Sequence, residues 1–315
     1  LQLVDQDRLD EAISHYDAAI RFYSNDMDLQ TSRRLAIGYR DGRRALEAQR
    51  WEEAANLLDA TLHGTPAMEE HFRVWKEILD RHPGNTLIAC QCARALFLLG
   101  RYEEMERFIE ETRGQETVRP ELSVLLALSQ FAAGKLTPEQ LASETMFTES
   151  PKLRAQAASL LQAAVAAPGT GTAGSEWTKR ALHAATLLAP DSGETWMQMG
   201  AVLENEGNLE KALQTYWDAF PGTALADQAL LAGRVDSLYT RMNQPRERVE
   251  RWQSLLQQYP ENPVVLLHAG LAYEANGRWE EAADAYGALS GKAGYETVGQ
   301  LRSGAMLVRL GDKKK

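Results

Sequence analysis

The chain has 315 residues and a net charge of −10, with 44% hydrophobic and 25% charged side chains. That apolar content excludes a disordered chain, and the acidic balance argues against sequence-independent nucleic-acid binding, which needs phosphates neutralised. Two cysteines exclude a disulfide-built scaffold, and the apolar run Ala95-Leu96-Phe97-Leu98-Leu99 stops far short of the ~18 residues of a membrane span.

Read in chain order, Asp7-Arg8-Leu9-Asp10-Glu11-Ala12 opens a helix, and its pattern returns as Gly277-Arg278-Trp279-Glu280-Glu281-Ala282. Residues 1–6 then form the tail of a preceding helix. Residues 27–83 fit no single register. Trp51-Glu52-Glu53-Ala54 starts a second helix of a pair, whereas counting back from Pro83 makes 52–65 a first helix. The conflict predicts either one odd helix within 67–82 or an unusually long helix at 27–49. Units then start at Thr86 and Pro120, 34 residues apart. A unit from Arg154 runs to 39 residues, its extra length falling between Pro168 and Gly174. Units from Gly193, Ala229, Pro263 and Thr297 follow at spacings of 36, 34 and 34 residues, with Pro221-Gly222-Thr223 lengthening the first. In the last, Gly304, Leu307 and Gly311 repeat Gly270, Tyr273 and Gly277, and no second helix follows. Both ends fall inside a unit. This predicts a segment of a longer protein, with apolar helix surface uncovered at residues 1–13 and 306–310.

Each unit places apolar residues three and four apart, the mark of amphipathic helices. Leu203, Ala212 and Tyr216 take inward positions, while Gly200, Ala212 and Ala282 let paired helices approach. Gly207 and Gly277 supply helix-ending geometry, and Pro190 and Pro260 end one helix and set up the next. A two-helix unit cannot bury its own apolar face, so neighbours must stack. The segments at 203–212 and 273–282, with the 34-residue period, resemble the tetratricopeptide repeat family over nearly the whole chain. The resemblance implies an all-α helix–turn–helix solenoid, wound as a right-handed superhelix, with a phase change in the N-terminal third. About 16–18 helices are expected from two per unit. The expected organisation is irregular repeats at 1–85, two repeats at 86–153, one with a Gly-rich insertion at 154–192, three at 193–296 and a half repeat at 297–315.

Sequence motifs for chemistry are weak. Gly169-Thr170-Gly171-Thr172-Ala173-Gly174 has the dinucleotide pattern, but a strand must precede it. An Ala-rich helical stretch does, so residues 168–175 are expected to form a mobile insertion without nucleotide. Gly287 to Ala293 is too short for a phosphate loop and lacks Ser or Thr after Lys292. Cys90 and Cys92 point about 200° apart on a helix; Cys92 reads as a packed thiol and Cys90 as facing the groove. The six histidines show no paired ligand spacing. No cofactor, metal site or catalytic centre is expected.

Arg33, Arg40 and Arg44 form a helical stripe, beside Arg34 and Arg43. Its alternatives are a solvated face balanced by Asp28, Asp41 and Glu47, or a dock for an acidic segment or an anionic polymer using the guanidinium fork. The resemblance implies that the first helix of each unit lines a concave groove. Its positions would include Leu87, Cys90, Arg94, Phe97 and Leu98 upstream. Downstream they are Glu194, Met197, Ala201, Glu204 and Asn205, then Leu230, Gly233, Ser237, Thr240 and Arg241, then Val264, Leu267, Leu271, Glu274 and Ala275. Met197 and Ala201 occupy the places where some relatives hold a C-terminal carboxylate with Lys and Asn, so that clamp is not expected. Gln198, Arg234 and His268 do not make the Asn ladder of others. The expected function is a non-catalytic scaffold for protein partners, with Arg241 and Glu274 fixing the direction of a segment between Met197, Leu230, Leu267 and Leu271. Alternatives are a periplasmic scaffold of bacterial exopolysaccharide export machinery, a self-assembling array, or a regulatory segment of an enzyme outside this chain. Localisation is left open, with the periplasm favoured slightly over the cytoplasm; no nucleic acid partner is expected.

Overall fold

The computed structural model describes residues 8–24, 26–62, 68–113, 120–166 and 175–313. Among them are eighteen α-helices, one 3-10 turn and no strand. The fold is the expected all-α array of helix–turn–helix repeats. Two compact units divide the chain, residues 1–188 and 189–315. Of the Gly-rich insertion expected at 168–175, residues 168–174 lie outside the described residues, as do residues 1–7, and Ser175 begins a helix.

The first unit holds α1 (Leu9–Phe22), α2 (Met27–Glu47), α3 (Trp51–Leu62), α4 (Met68–Arg81), α5 (Thr86–Leu98), α6 (Tyr102–Arg113), α7 (Pro120–Ala132), α8 (Pro138–Ala142), α9 (Thr145–Glu149), α10 (Pro151–Ala166) and α11 (Ser175–Leu188). Both alternatives for the register conflict occur together. Helix α2 is long, at 21 residues, and α4 is an additional helix that packs on α5. Trp75 of α4 is wholly buried with Tyr39, Leu58 and Ile88, so this helix carries part of the local core. The repeat from Pro120 departs from expectation. Its second helix is split into α8 and α9. The Ser143 hydroxyl bonds back to the carbonyls of Glu139 and Gln140, the local competition by which Ser disfavours helix continuation. The following helix begins at Pro151, three residues before the expected Arg154.

The second unit is regular: α12 (Gly193–Asn205), α13 (Leu209–Ala219), a 3-10 turn (Phe220–Gly222), α14 (Leu225–Arg241), α15 (Pro245–Gln258), α16 (Pro263–Ala275), α17 (Trp279–Leu289) and α18 (Glu296–Lys313). Helix α14 starts four residues before the expected Ala229. Helices α12 and α16 start from polar caps that follow proline turns, whereas α14 starts after Ala224 without a side-chain cap. Ser192 accepts from the Thr195 amide, and Asn262 from those of Val264 and Val265, satisfying donors a helix start leaves open. They end on left-handed residues, Gly207 (φ 80°), Asn243 (φ 56°) and Gly277 (φ 70°). Beyond each, an amide reaches back to the last turn, as from Arg278 to the Tyr273 carbonyl.

Close helix pairing uses a column of small residues facing a column of large ones. A Cβ on Gly200 would lie 2.1 Å from the Tyr216 ring, and one on Gly270 2.5 Å from Tyr286. Gly42 faces Leu58 in the same way, at 2.7 Å. These glycines are needed for contact, not for backbone freedom. Helix α18 carries the next member, Gly304, with open space around it. Leu301, Leu307 and Val308 of α18 are exposed, whereas Met306, expected to be uncovered, is buried.

Candidate functional site: the faces of the first helices

In the first unit α5, α7 and α10 lie side by side as first helices. A cavity of about 700 Å³ opens on them, lined by Leu87, Cys90, Arg94, Val124, Lys152 and Leu160 among others. Phe97 and Leu98, expected in the groove, are core residues; they lie on the flank of α5 that meets its neighbours. Cys92 is wholly buried, and burial pushes its thiol up to about 12. Cys90 is also largely buried, at 8% exposure, but lines the cavity.

The arginine stripe lies against α1. Arg33 pairs with Asp17, and Arg40 with Asp41 and Asp10 at 2.8 and 3.2 Å. Arg44 reaches Asp10 at 2.9 Å. Two of the partners, Asp10 and Asp17, come from the neighbouring helix rather than from α2 itself. A second cavity of about 670 Å³ sits between α1 and α2, lined by Ile20, Arg21, Arg33, Arg34 and Ile37.

In the second unit α12, α14 and α16 are adjacent first helices. Leu230 is 56% exposed. Met197 and Leu267 are half-buried and pack against the core, and Leu271 is half-buried; Asn205 is exposed. Val264, expected in the groove, is buried. The two charges expected to orient a partner are engaged internally. Glu204 accepts the Tyr216 hydroxyl at 2.8 Å and also pairs with Arg241. Glu274 accepts the Tyr286 hydroxyl and an Arg302 N–H, both at 2.9 Å. Burial, then the carboxylate acceptors, push both tyrosine hydroxyls well above their ordinary range.

The middle repeat replaces this arrangement. Asp236 stands where Gly200 and Gly270 stand, and Trp252 where Tyr216 and Tyr286 stand. The Asp236 carboxylate accepts from Arg248 Nε at 2.8 Å and Nη2 at 2.7 Å, and from Trp252 Nε1 at 2.8 Å; it also bonds His268 Nδ1 at 2.8 Å. His268 stacks on Trp252, ring centres 5.2 Å apart. Burial raises the Asp236 pKa, but the hydrogen bonds from His268 and Arg248 outweigh it, and the carboxyl sits below its usual range. On sequence alone His268 has no partner assigned beyond its failure to make an Asn ladder, and Asp236 does not stand out. Setting residues 200, 236 and 270 in one column exposes the anomaly, an acid in a glycine position.

Among the described residues no three metal-ligating side chains lie close enough to hold an ion, and no helix is long and apolar enough to cross a membrane.

No family model matches the chain. It is 24% identical over 224 aligned residues to the human protein O-mannosyl-transferase TMTC1, covering 65% of this chain and 23% of that protein. The chain thus spans less than a quarter of that relative. Among solved structures, the APC/C hetero-tetramer Cut9-Hcn1 is similar at 14% identity and a TM-score of 0.36, with 96% of this chain and 60% of that one covered. The TPR domain of P58(IPK) is similar at 15% identity and a TM-score of 0.25, covering 89% and 99%. The fold assignment rests on this chain's own helices, turns and small–large columns.

Proposed function

We propose that the chain is a non-catalytic scaffold that binds segments of partner proteins on the faces of its first helices. The observation that carries this is the cavity of about 700 Å³ on α5, α7 and α10, a concave surface of mixed polar and apolar lining. Concave, partly apolar surfaces with a few polar groups are the usual form of a binding site. The test is selection of binding peptides from a display library against the full chain. Selected peptides should lose binding to a Ser159→Trp/Ala155→Glu variant that fills this cavity but keeps its helical circular dichroism. A second pool should lose binding to Leu230→Asp. Peptides indifferent to both variants would place binding elsewhere and end this reading.

Nothing in the structure favours the polysaccharide-export reading.

A further inference from the structure

The second unit carries a row of side chains one repeat apart on its first helices: Gln198, Arg234, His268 and Arg302. Two of its members reach back to a carboxylate of the preceding repeat. His268 contacts Asp236 at 2.8 Å, and Arg302 contacts Glu274 at 2.9 Å. By the same register Arg234 should meet Glu204, which holds the place of Glu274. Glu204 is instead held by Arg241, two turns further along α14. Arg234 is exposed. It lies near enough to Tyr216 for its charge to oppose the rise in that hydroxyl's pKa. No carboxylate pairs with it among the described residues.

An exposed guanidinium is thereby left on the first-helix face, one helical turn from exposed Leu230. Half-buried Met197, Leu267 and Leu271 stand on the same row of helices. A guanidinium holds a carboxylate through paired, charge-assisted hydrogen bonds, and the apolar neighbours favour apolar side chains on either side of it. We infer that the second unit binds an extended protein segment in which an internal Asp or Glu lies between apolar residues, its carboxylate seated on Arg234. This rests on the scaffold reading above and names the partner's chemistry for this face.

The probe is a short peptide of alternating Leu and Glu, acetylated and amidated so that no terminal carboxylate is present. A Leu/Gln peptide of equal length is its neutral counterpart. Binding to the full chain is followed by fluorescence anisotropy at low salt. The Glu peptide should bind about tenfold or more tightly than the Gln peptide, the increment expected of one charged hydrogen-bonded pair. Arg234→Gln should erase that preference, Arg234→Lys should keep part of it, and Leu230→Asp should weaken both peptides. Equal binding of the two peptides, with Leu230→Asp still weakening both, overturns the role of Arg234 and leaves the scaffold reading standing. Binding that ignores Leu230→Asp, or no binding of either peptide, overturns the inference together with the groove in this unit.

Discussion

Within the second unit, two solutions to one packing problem stand side by side. The outer repeats set a tyrosine ring against a glycine and send the hydroxyl to a glutamate one turn on, Tyr216 to Glu204 and Tyr286 to Glu274. The middle repeat joins the Asp236 carboxylate to Arg248, Trp252 and His268, with His268 stacked on Trp252. The tyrosine version leaves its polar end at the half-buried edge, where an arginine can reach the glutamate. The tryptophan version draws a carboxylate and a guanidinium inside, each about 15% exposed. In the middle repeat the acid in the glycine column is held by a cation and an indole N–H from the partner helix and by His268 of the next repeat. Burying a charge without such partners is costly.

The largest expected effect comes from breaking the middle solution. Asp236→Ala strands the Arg248 charge and the Trp252 N–H, and breaking a buried pair costs about 3–5 kcal/mol. Urea unfolding followed by circular dichroism measures it. The triple variant Asp236→Gly/Arg248→Ala/Trp252→Tyr, which gives the middle repeat its neighbours' residues at these three positions, should lose less than Asp236→Ala alone. If it loses more, the two solutions are not interchangeable and the comparison fails.

The glycine column gives the next effect. Gly200→Ala and Gly270→Ala push a methyl group into Tyr216 and Tyr286, and overpacking of this kind costs about 1–3 kcal/mol. Gly233, on the exposed face of α14, has open space around it. Gly233→Ala should instead stabilise by up to about 1 kcal/mol, the helix-propensity gain. A similar loss in all three would show that the close approach is not what selects glycine.

These columns were legible in the sequence, and their meaning only partly so. Period, Gly/Tyr spacing and turn residues located most first helices of the second unit, because each rests on local chemistry that repeats. The start of α14 was misplaced by four residues because Leu225 precedes the repeat's own register. The split of α8 from α9 depends on where Ser143 turns its hydroxyl, which no spacing reveals. Site reading suffered from the same cause. Arg241 and Glu274 looked like free charges on a groove, since their partners Glu204 and Arg302 lie 37 and 28 residues away and only the fold brings them together. Met197 and Leu267 looked dispensable for packing, yet both touch the core. Replacing Met197 should therefore disturb stability as well as binding, and Leu230 is the cleaner probe.

Acid should distinguish the two solutions with a smaller effect. The folded Asp236 carboxyl lies below its ordinary value, so its contribution is present above the unfolded range near pH 4. It is lost as pH falls through the folded value. Asp236→Asn removes that titration while keeping an acceptor. Stability of the parent chain should fall more steeply below about pH 4 than that of Asp236→Asn. Parallel curves would mean that Asp236 is not held ionised by Arg248 and His268.

The smallest effect concerns the turn that ends each first helix, where the middle repeat again differs. Its neighbours use Gly207 and Gly277, and it uses Asn243, all three in the left-handed region. A residue with a Cβ loses about 1–2 kcal/mol there, and Asn is the side chain that most readily lessens the loss. Asn243→Gly relieves that backbone strain but gives the unfolded chain more freedom, and the two nearly cancel. Asn243→Ala keeps the strain and removes the tolerant side chain, and it should cost about 1 kcal/mol. The pair of melts is thus expected to show almost no change for glycine and a clear loss for alanine. If alanine is as stable as asparagine, the left-handed turn is not what fixes the hinge between α14 and α15, and the middle repeat differs from its neighbours in its core alone.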